Sequence, residues 1–378
     1  SAAGWASAAR RVLGQSWIVT PAGLVDPDRA RQRASHPRLA TPSMPSWRRH
    51  LPTVVKTAAK DVREWDRARR FHVDPAGPWT DSEVAFVWQR HELFHSAGIE
   101  LAHRLGVPSV LFVPAAVVWE SKQWEVARPG WGRLLERFGE QSELRSADLV
   151  ACGSELVAEQ VRRLGVREEQ MIVTPSGADL GLFRDRPDAA AVRKELRLTN
   201  RFVIGWVGSF RKFHALDQAV EALAGIEGAT LLLVGDGPER ARVRQLGREY
   251  GVAVRLTGTI PYQEVPKYLA AMDVALVLGA PDQPFHYSPL KLAEYLAAGL
   301  PVVAPNVAQL HERLTDGVDA MLVPPGDPVA LAGVVKQLRD DPELRARLSK
   351  AARETAAKSW SWDNELQRVL DRVRPPAP

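Results

Sequence analysis

The chain has 378 residues, 45% of them apolar, with a single cysteine and a formal charge of +5. That length exceeds what one hydrophobic core usually organises, so two domains are expected. One cysteine excludes an internal disulfide and any cysteine-based metal cluster, and acidic residues interleaved with the basic ones argue against a dedicated nucleic-acid binder.

No apolar run approaches the roughly 18 residues of a membrane span, and the start lacks the cationic-then-apolar order of a signal peptide. The expectation is a cytoplasmic protein. Short apolar runs alternate with helical periodicity from end to end, the signature of parallel sheets wrapped by helices. The N-terminus departs from this pattern, because Ser1-Ala2-Ala3-Gly4-Trp5 leads straight into a helical stretch over 6–13. A doubly wound domain normally opens with a strand and a Gly-containing loop. The expectation is that an opening strand is missing and that Gly4 is the remnant of that loop.

Further along, Asp26-Pro27-Asp28 has the spacing of a metal-binding carboxylate pair but reads as a turn or helix cap. The densest basic stretch, 48–70, carries Arg48, Arg49, Lys56, Lys60, Arg63, Arg67, Arg69 and Arg70 on a helical pattern. Leu51, Val54, Val55, Val62 and Trp65 fall on its other positions. It suits weak contact with an anionic membrane surface, at the inner face, or a solvated helix face balanced by Asp61, Glu64 and Asp66. Strands are expected at 16–20, 84–88, 109–113, 149–152 and 171–174, with helices between them, among others at 97–105 and 133–145. The run 175–183, Pro-Ser-Gly-Ala-Asp-Leu-Gly-Leu-Phe, has turn residues and no period, so it reads as a linker. A second series of strands follows at 202–207, 229–234, 253–256, 274–278, 301–304 and 320–323.

The most informative segment spans Ser288 to Ala304. Ser288 suits a helix N-cap, Pro289 the first helical position and Gly299 the C-terminal stop. A capping box would place Glu or Gln where this chain has Lys291, and there the helix dipole disfavours a cation by roughly 0.3–1 kcal/mol. An anion bound at that helix end removes the conflict. Glu294 lies one turn later on the same face, so a phosphate at the helix end and a diol at the carboxylate would together fit a nucleotide. An ordinary exposed Glu–Lys pair is the other reading of the segment.

Four segments in order, with Gly235-Asp236-Gly237-Pro238 after a strand, carry a family likeness. They are Ala147-Asp148-Leu149-Val150 with Ser154-Glu155, Val173 to Phe183, Gly208-Ser209-Phe210-Arg211-Lys212-Phe213-His214, and Ser288 to Ala304. Over nearly the whole chain they resemble the retaining GT-B glycosyltransferases of family 4 type, the glycosyl transferases group 1. The resemblance implies an α/β fold of two Rossmann-like domains with parallel sheets facing a central cleft. It divides the chain into an acceptor-binding domain at 1–174, a nucleotide-sugar-binding domain at 175–359, and a C-terminal helix at 360–378 that returns to the first domain.

It further implies that Glu294 holds the ribose hydroxyls of the donor, while the helix end at Ser288, Leu290 and Lys291 receives the diphosphate. Gly208-Ser209 stands where the family has Gly-Arg, and His214 where it has Lys, so Arg211 and Lys212 are expected to neutralise the leaving diphosphate. His286 takes the place of the first of the family's paired glutamates, beside the transferred sugar. Gly4 completes the donor side. Arg90, His91, His95 and Glu120 are the acceptor-side polar candidates, and Trp119 and Trp124 the aromatic ones.

The function so implied is a metal-independent, cofactor-free hexosyltransferase. It would move sugar from a nucleotide-diphosphate sugar, UDP-linked first and GDP-linked next, to a hydroxyl of a glycan, glycolipid or small natural product. Two alternatives remain at this point: a catalytically silent protein of the same fold, and a dinucleotide-dependent oxidoreductase. Against the second, no Gly-x-Gly-x-x-Gly lies between a strand and a helix.

Overall fold

The computed structural model describes residues 2–34, 52–123, 126, 128–185, 187–280 and 290–373. The described chain opens with helix α1 (Ala2–Leu13), a two-stranded antiparallel hairpin of β1 (Ile18–Thr20) and β2 (Gly23–Val25), α2 (Pro27–Ala34) and α3 (Thr53–Arg70). Asp26 accepts from the amides of Asp28 at 2.9 Å and Arg29 at 3.3 Å, so it caps α2 while Arg10 pairs with it.

The first parallel sheet runs β3 (Val87–Arg90), β4 (Ser109–Val113), β5 (Leu149–Cys152) and β6 (Met171–Val173), in that order. Helix α4 (Ala97–Leu105) follows β3 and stops at Gly106, whose φ of 67° is left-handed. Helix α5 (Val117–Gln123) follows β4, and α6 (Glu155–Arg163), capped by the Ser154 hydroxyl on the Val157 amide, follows β5. Every residue of β4 and β5 is buried, as expected of continuous apolar runs covered on both faces. Cys152 lies in that core, where burial pushes its thiol up to about 12.

Two expectations shift here. The strand expected at 84–88 begins at Val87, because the ladder starts where the Val87 amide meets the Pro108 carbonyl and β4 begins beside it. The helix expected at 133–145 is interrupted by a π-helical turn, Leu135–Glu140.

The second sheet has the order β12 (Met321–Val323), β11 (Val302–Pro305), β10 (Val274–Leu276), β7 (Phe202–Val207), β8 (Ala229–Val234) and β9 (Val254–Leu256), all parallel. Its helices include α7 (Leu216–Leu223), α8 (Arg240–Glu249), α9 (Leu290–Ala297) and α10 (Pro342–Ser359). From β7 the chain builds one way through β8 and β9, then the other way through β10 to β12. The topological switch point, where open α/β sheets form a ligand crevice, therefore lies between the C-terminal ends of β7 and β10.

The last helix, α11 (Trp362–Val373), packs on the first sheet. Trp362, Leu366, Val369 and Leu370 join Trp5 and Ala8 of α1 and Val110, Phe112, Leu149 and Ala151 of the strands. Four such buried side chains contribute on the order of 6–12 kcal/mol of transfer free energy before ordering costs. The chain thus passes between the sheets twice, and the two passes are tied together: the Ala178 amide donates to the Trp360 carbonyl at 2.7 Å, and the Trp362 amide to the Ala178 carbonyl at 3.3 Å. Gly177 permits this, because a Cβ there would lie 2.4 Å from the Trp362 nitrogen.

Candidate functional site

At the switch point, Trp206 is the penultimate residue of β7 and fully buried, and the ammonium of Lys291 in the first turn of α9 stands 3.8 Å from its ring centroid. Gly208, with φ 146°, lets the loop pass beneath that lysine, since a Cβ there would come within 2.8 Å of the Trp206 ring and 3.3 Å of the Lys291 Nζ. Gly235, after β8, lies against the Gly208 carbonyl, where a Cβ would stand 2.0 Å from the oxygen. The close approach of the two glycine turns is what leaves the crevice floor as backbone.

One turn along α9, Glu294 is 4% exposed and accepts from the Tyr262 hydroxyl at 2.8 Å. Burial pushes its carboxyl up to about 7, against the pull of the Tyr262 hydrogen bond and of Lys291. Burial likewise lowers the Lys291 ammonium to about 7, opposed by the Glu294 charge. The next residue, Tyr295, is fully buried and its hydroxyl accepts from the Val207 amide at 2.7 Å, which fixes α9 to the end of β7. Lys291 and Glu294 are therefore held on one helix face in a desolvated crevice and do not form an exposed surface pair. Such an electrostatic arrangement accepts an anion at the helix end and hydroxyl donors at the carboxylate.

The loop after β7 places the other expected cations differently from one another. Arg211 and Lys212 are exposed, and Ser209 is exposed beside them. Lys212 lines a separate cleft of about 380 Å³ with Asp217, Glu239 and Arg242. Arg211 lies close enough to His214 to affect its titration. His214 is buried 5.0 Å from Trp206, and burial, reinforced by Lys291 and then Arg211, lowers it to about 3. It is therefore neutral at neutral pH and adds no positive charge to the loop. The loop enters α7 through Ala215, which holds a left-handed φ of 48°.

Two further expectations are corrected. Gly4 does not belong to a loop after a strand; it lies in the first turn of α1 against the Trp362 indole, and a Cβ would stand 2.5 Å from that ring. His91 does not face a cleft. It is 2% exposed, with Nδ1 at 2.8 Å from Glu143 and Nε2 at 3.1 Å from Glu140. Burial opposes its charge, but both carboxylates raise it to about 10, so it is an imidazolium at neutral pH. Glu140 also accepts from the amides of Val117 at 2.6 Å and Val118 at 3.3 Å, which fills the start of α5 with a carboxylate of the chain itself.

Of the remaining acceptor candidates, Arg90 is exposed at the end of β3, and Glu120 and His95 are half-buried. His286, Ser288 and Trp124 lie outside the described residues. Trp206, Tyr262 and Tyr295 belong to the crevice and were missed. Trp206 and Tyr295 sit inside apolar runs that read as core, and Tyr262 lies in a turn with no periodic signal. Among the described residues, no group of three or more His, Cys, Asp or Glu side chains could hold a metal ion.

Residues 201–341 match the family model of glycosyl transferases group 1. The chain is 30% identical over 245 residues to the lipopolysaccharide core biosynthesis glycosyltransferase LpsD of Rhizobium meliloti (strain 1021), covering 65% of this chain and 66% of that protein. It is 29% identical over 255 residues to the 2-deoxystreptamine N-acetyl-D-glucosaminyltransferase of Streptomyces fradiae, covering 64% and 59%. The chain thus spans about three fifths to two thirds of the length of these curated relatives. In fold it is similar to HepE of Anabaena in complex with UDP, with a TM-score of 0.60 at 19% identity over 85% of this chain and 83% of that one. It is also similar to a glycosyltransferase of Rickettsia africae, with a TM-score of 0.64 at 14% identity over 98% and 92%. By these matches residues 201–341 are a glycosyl transferases group 1 segment, and the two parallel sheets with a crevice at the switch point give the chain the GT-B fold.

Proposed function

We propose that this protein is a glycosyltransferase that moves a hexose from a nucleoside-diphosphate sugar to an acceptor hydroxyl, with retention at the anomeric carbon and without a metal ion. The observation that carries the reading is the pair on α9, with half-buried Lys291 over Trp206 and buried Glu294 one turn behind it. In this reading Glu294 accepts from the ribose hydroxyls, with Tyr262 fixing one of its oxygens. The amides of Leu290 and Lys291 and the Lys291 ammonium receive the diphosphate. Arg211 adds charge from the facing loop as the leaving diphosphate develops, so the stabilisation falls where charge grows in the transition state. These cations supply what a divalent ion otherwise would, and activity should persist in chelator.

The domain boundaries at 174 and 359 belong to the same reading, with acceptor recognition assigned to the first sheet through Arg90 and Glu120. The acceptor is a glycan, glycolipid or small natural product. Helix α3 exposes Val55, Val62 and Trp65 among its basic residues, which supports weak contact with an anionic membrane face. Among the described residues no helix is long and apolar enough to cross a membrane. The test is thermal melting with uridine diphosphate, the nucleotide present in the HepE structure, then guanosine diphosphate and NAD. A rise with a nucleoside diphosphate and none with NAD is expected, because selective native-state binding stabilises by mass action. Stabilisation by NAD alone would overturn the proposal.

A further inference from the structure

Two helical elements hold large apolar side chains in water with cations beside them. On α3 these are Val55, Val62 and Trp65. On the turns of 132–140, Leu134 is 56% and Phe138 65% exposed. Arg133 and Arg137 are exposed next to them, and the Arg137 guanidinium lies 5.4 Å from the Phe138 ring centroid. The acids of these turns are engaged elsewhere, Glu136 with Lys122 at 3.1 Å and Glu140 with His91, so the two arginines stand as excess positive charge. Six cations on α3 likewise outnumber Glu64 and Asp66, once Asp61 is buried.

Neither face can turn inward. The opposite side of 132–140 is fixed by Leu135, which packs with Leu93 and Val118, and by Gly139, where a Cβ would stand 3.0 Å from the Phe94 ring. Helix α3 is fixed by Asp61, which accepts from Arg128 Nε at 2.9 Å, from its Nη2 at 3.0 Å and from the Trp131 indole at 3.0 Å. The same joint links the two elements, because Trp131 immediately precedes 132–140. Trp65 stands one turn after Asp61, so the exposed apolar strip of α3 borders the flank that meets Trp131. Both apolar groups therefore flank one buried charged joint, with cations around them.

In an inference that rests on the membrane contact read above from α3 alone, we propose that α3 and 132–140 form one docking face for an anionic lipid surface. Leu134 and Phe138 are its second point of insertion. A lipid interface takes aliphatic and aromatic tips into its acyl boundary while arginine and lysine stay among the headgroups, and both elements offer that pairing. A nucleic acid would use the cations and leave Leu134, Phe138 and Val62 in water. The position also suits the reading of the first sheet as the acceptor side. Glu140, two residues after Phe138, accepts from the Val117 and Val118 amides at the start of α5, and α5 follows the C-terminal end of β4. Docking brings the bilayer beside the end of the sheet at which ligands bind.

The test is co-sedimentation of the protein with phosphatidylcholine vesicles containing about 30% phosphatidylglycerol. Binding should fall at least about tenfold in about 0.5 M salt, as screening shortens, and should vanish on phosphatidylcholine alone. Leu134→Ser combined with Phe138→Ser, and Val62→Ser combined with Trp65→Ser, should each weaken it about tenfold. Both double variants should keep the Tm rise with uridine diphosphate, so the outcome is independent of the nucleotide reading. In Phe138→Trp, brominated lipid should quench the added indole. Weakening by the α3 pair alone, with an unquenched Trp at 138, would leave the single-helix contact standing and overturn the second insertion point. No binding by the native protein would overturn both. Equal binding to phosphatidylcholine would overturn the anionic partner. A native dimer broken by the Leu134 and Phe138 changes, with no vesicle binding, would assign the face to a second copy and equally overturn the proposal.

Discussion

The Lys291 ammonium stands 3.8 Å from the centroid of the Trp206 indole, which places a cation of the first turn of α9 over the last buried side chain of β7. The indole face offers the ammonium partial compensation for lost water, and the lysine stem covers the ring. The arrangement leaves a positive group at a helix N-terminus, where an anion is favoured twice over.

Binding of uridine diphosphate should consequently take up a proton. Burial has lowered Lys291 to about 7, so at pH 8 most of the free protein carries it neutral, and a bound diphosphate returns it towards its ordinary range. Calorimetry at pH 8 in two buffers of different ionisation enthalpy should report uptake approaching one proton. Lys291→Met should abolish the uptake and weaken binding about ten- to a hundredfold at pH 7. Unchanged uptake in the variant would remove Lys291 from the diphosphate site.

Glu294 should cost stability at neutral pH. Its carboxyl is raised from 4.5 to about 7 on folding, so the native state binds the extra proton between those values and loses stability as pH rises through them. Above pH 7 the full cost is present, and below 4.5 it vanishes. Glu294→Gln should therefore be more stable than the native protein by roughly 1–3 kcal/mol at pH 8 and equal to it near pH 4.5. Urea unfolding at the two pH values measures this. A variant less stable at pH 8 would show that the ionised carboxylate is structurally satisfied.

The His91 cluster should behave in the opposite sense. His91 is raised from 6.5 to about 10, so its contribution is complete below pH 6.5 and is lost as pH rises through 10. His91→Leu leaves Glu140 and Glu143 buried without their cation and should cost about 3–5 kcal/mol. The loss should be large at pH 7 and shrink towards pH 10.

How much of this was legible in the sequence follows the physics of each element. The strands Ser109–Val113, Leu149–Cys152, Phe202–Val207 and Ala229–Val234 stand where the apolar runs put them, because fully covered parallel strands are continuous apolar segments. Lys291 and Glu294 could be placed on one face because helical spacing alone decides it. The burial of Glu294 and the seating of half-buried Lys291 on Trp206 could not be read, since Trp206 and Tyr262 come from a strand and a turn elsewhere in the chain. His91 resembled a cleft residue because it follows a strand, but its partners are Glu140, in a π-helical turn with no periodic signature, and Glu143, in the α-helical turn that follows it. Gly4 failed for a related reason: its need for glycine arises from Trp362, at the far end of the chain.

The glycine turns offer a stability check on the crevice floor. Gly235→Ala would drive a methyl into the Gly208 carbonyl at 2.0 Å while holding an alanine at a φ of 128°. A cost of roughly 1–3 kcal/mol in unfolding free energy is expected. A neutral result would mean the two turns separate freely.

The central claim, that Glu294 holds the donor ribose, is tested most directly by calorimetry of uridine diphosphate and its 2′-deoxy form with the native protein and Glu294→Ala. A carboxylate accepting from neutral hydroxyls contributes roughly 1.5–3 kcal/mol. The native protein should prefer the ribose form about ten- to a hundredfold, and the folded variant should bind both forms equally and more weakly. Equal discrimination by the native and variant proteins would contradict the account.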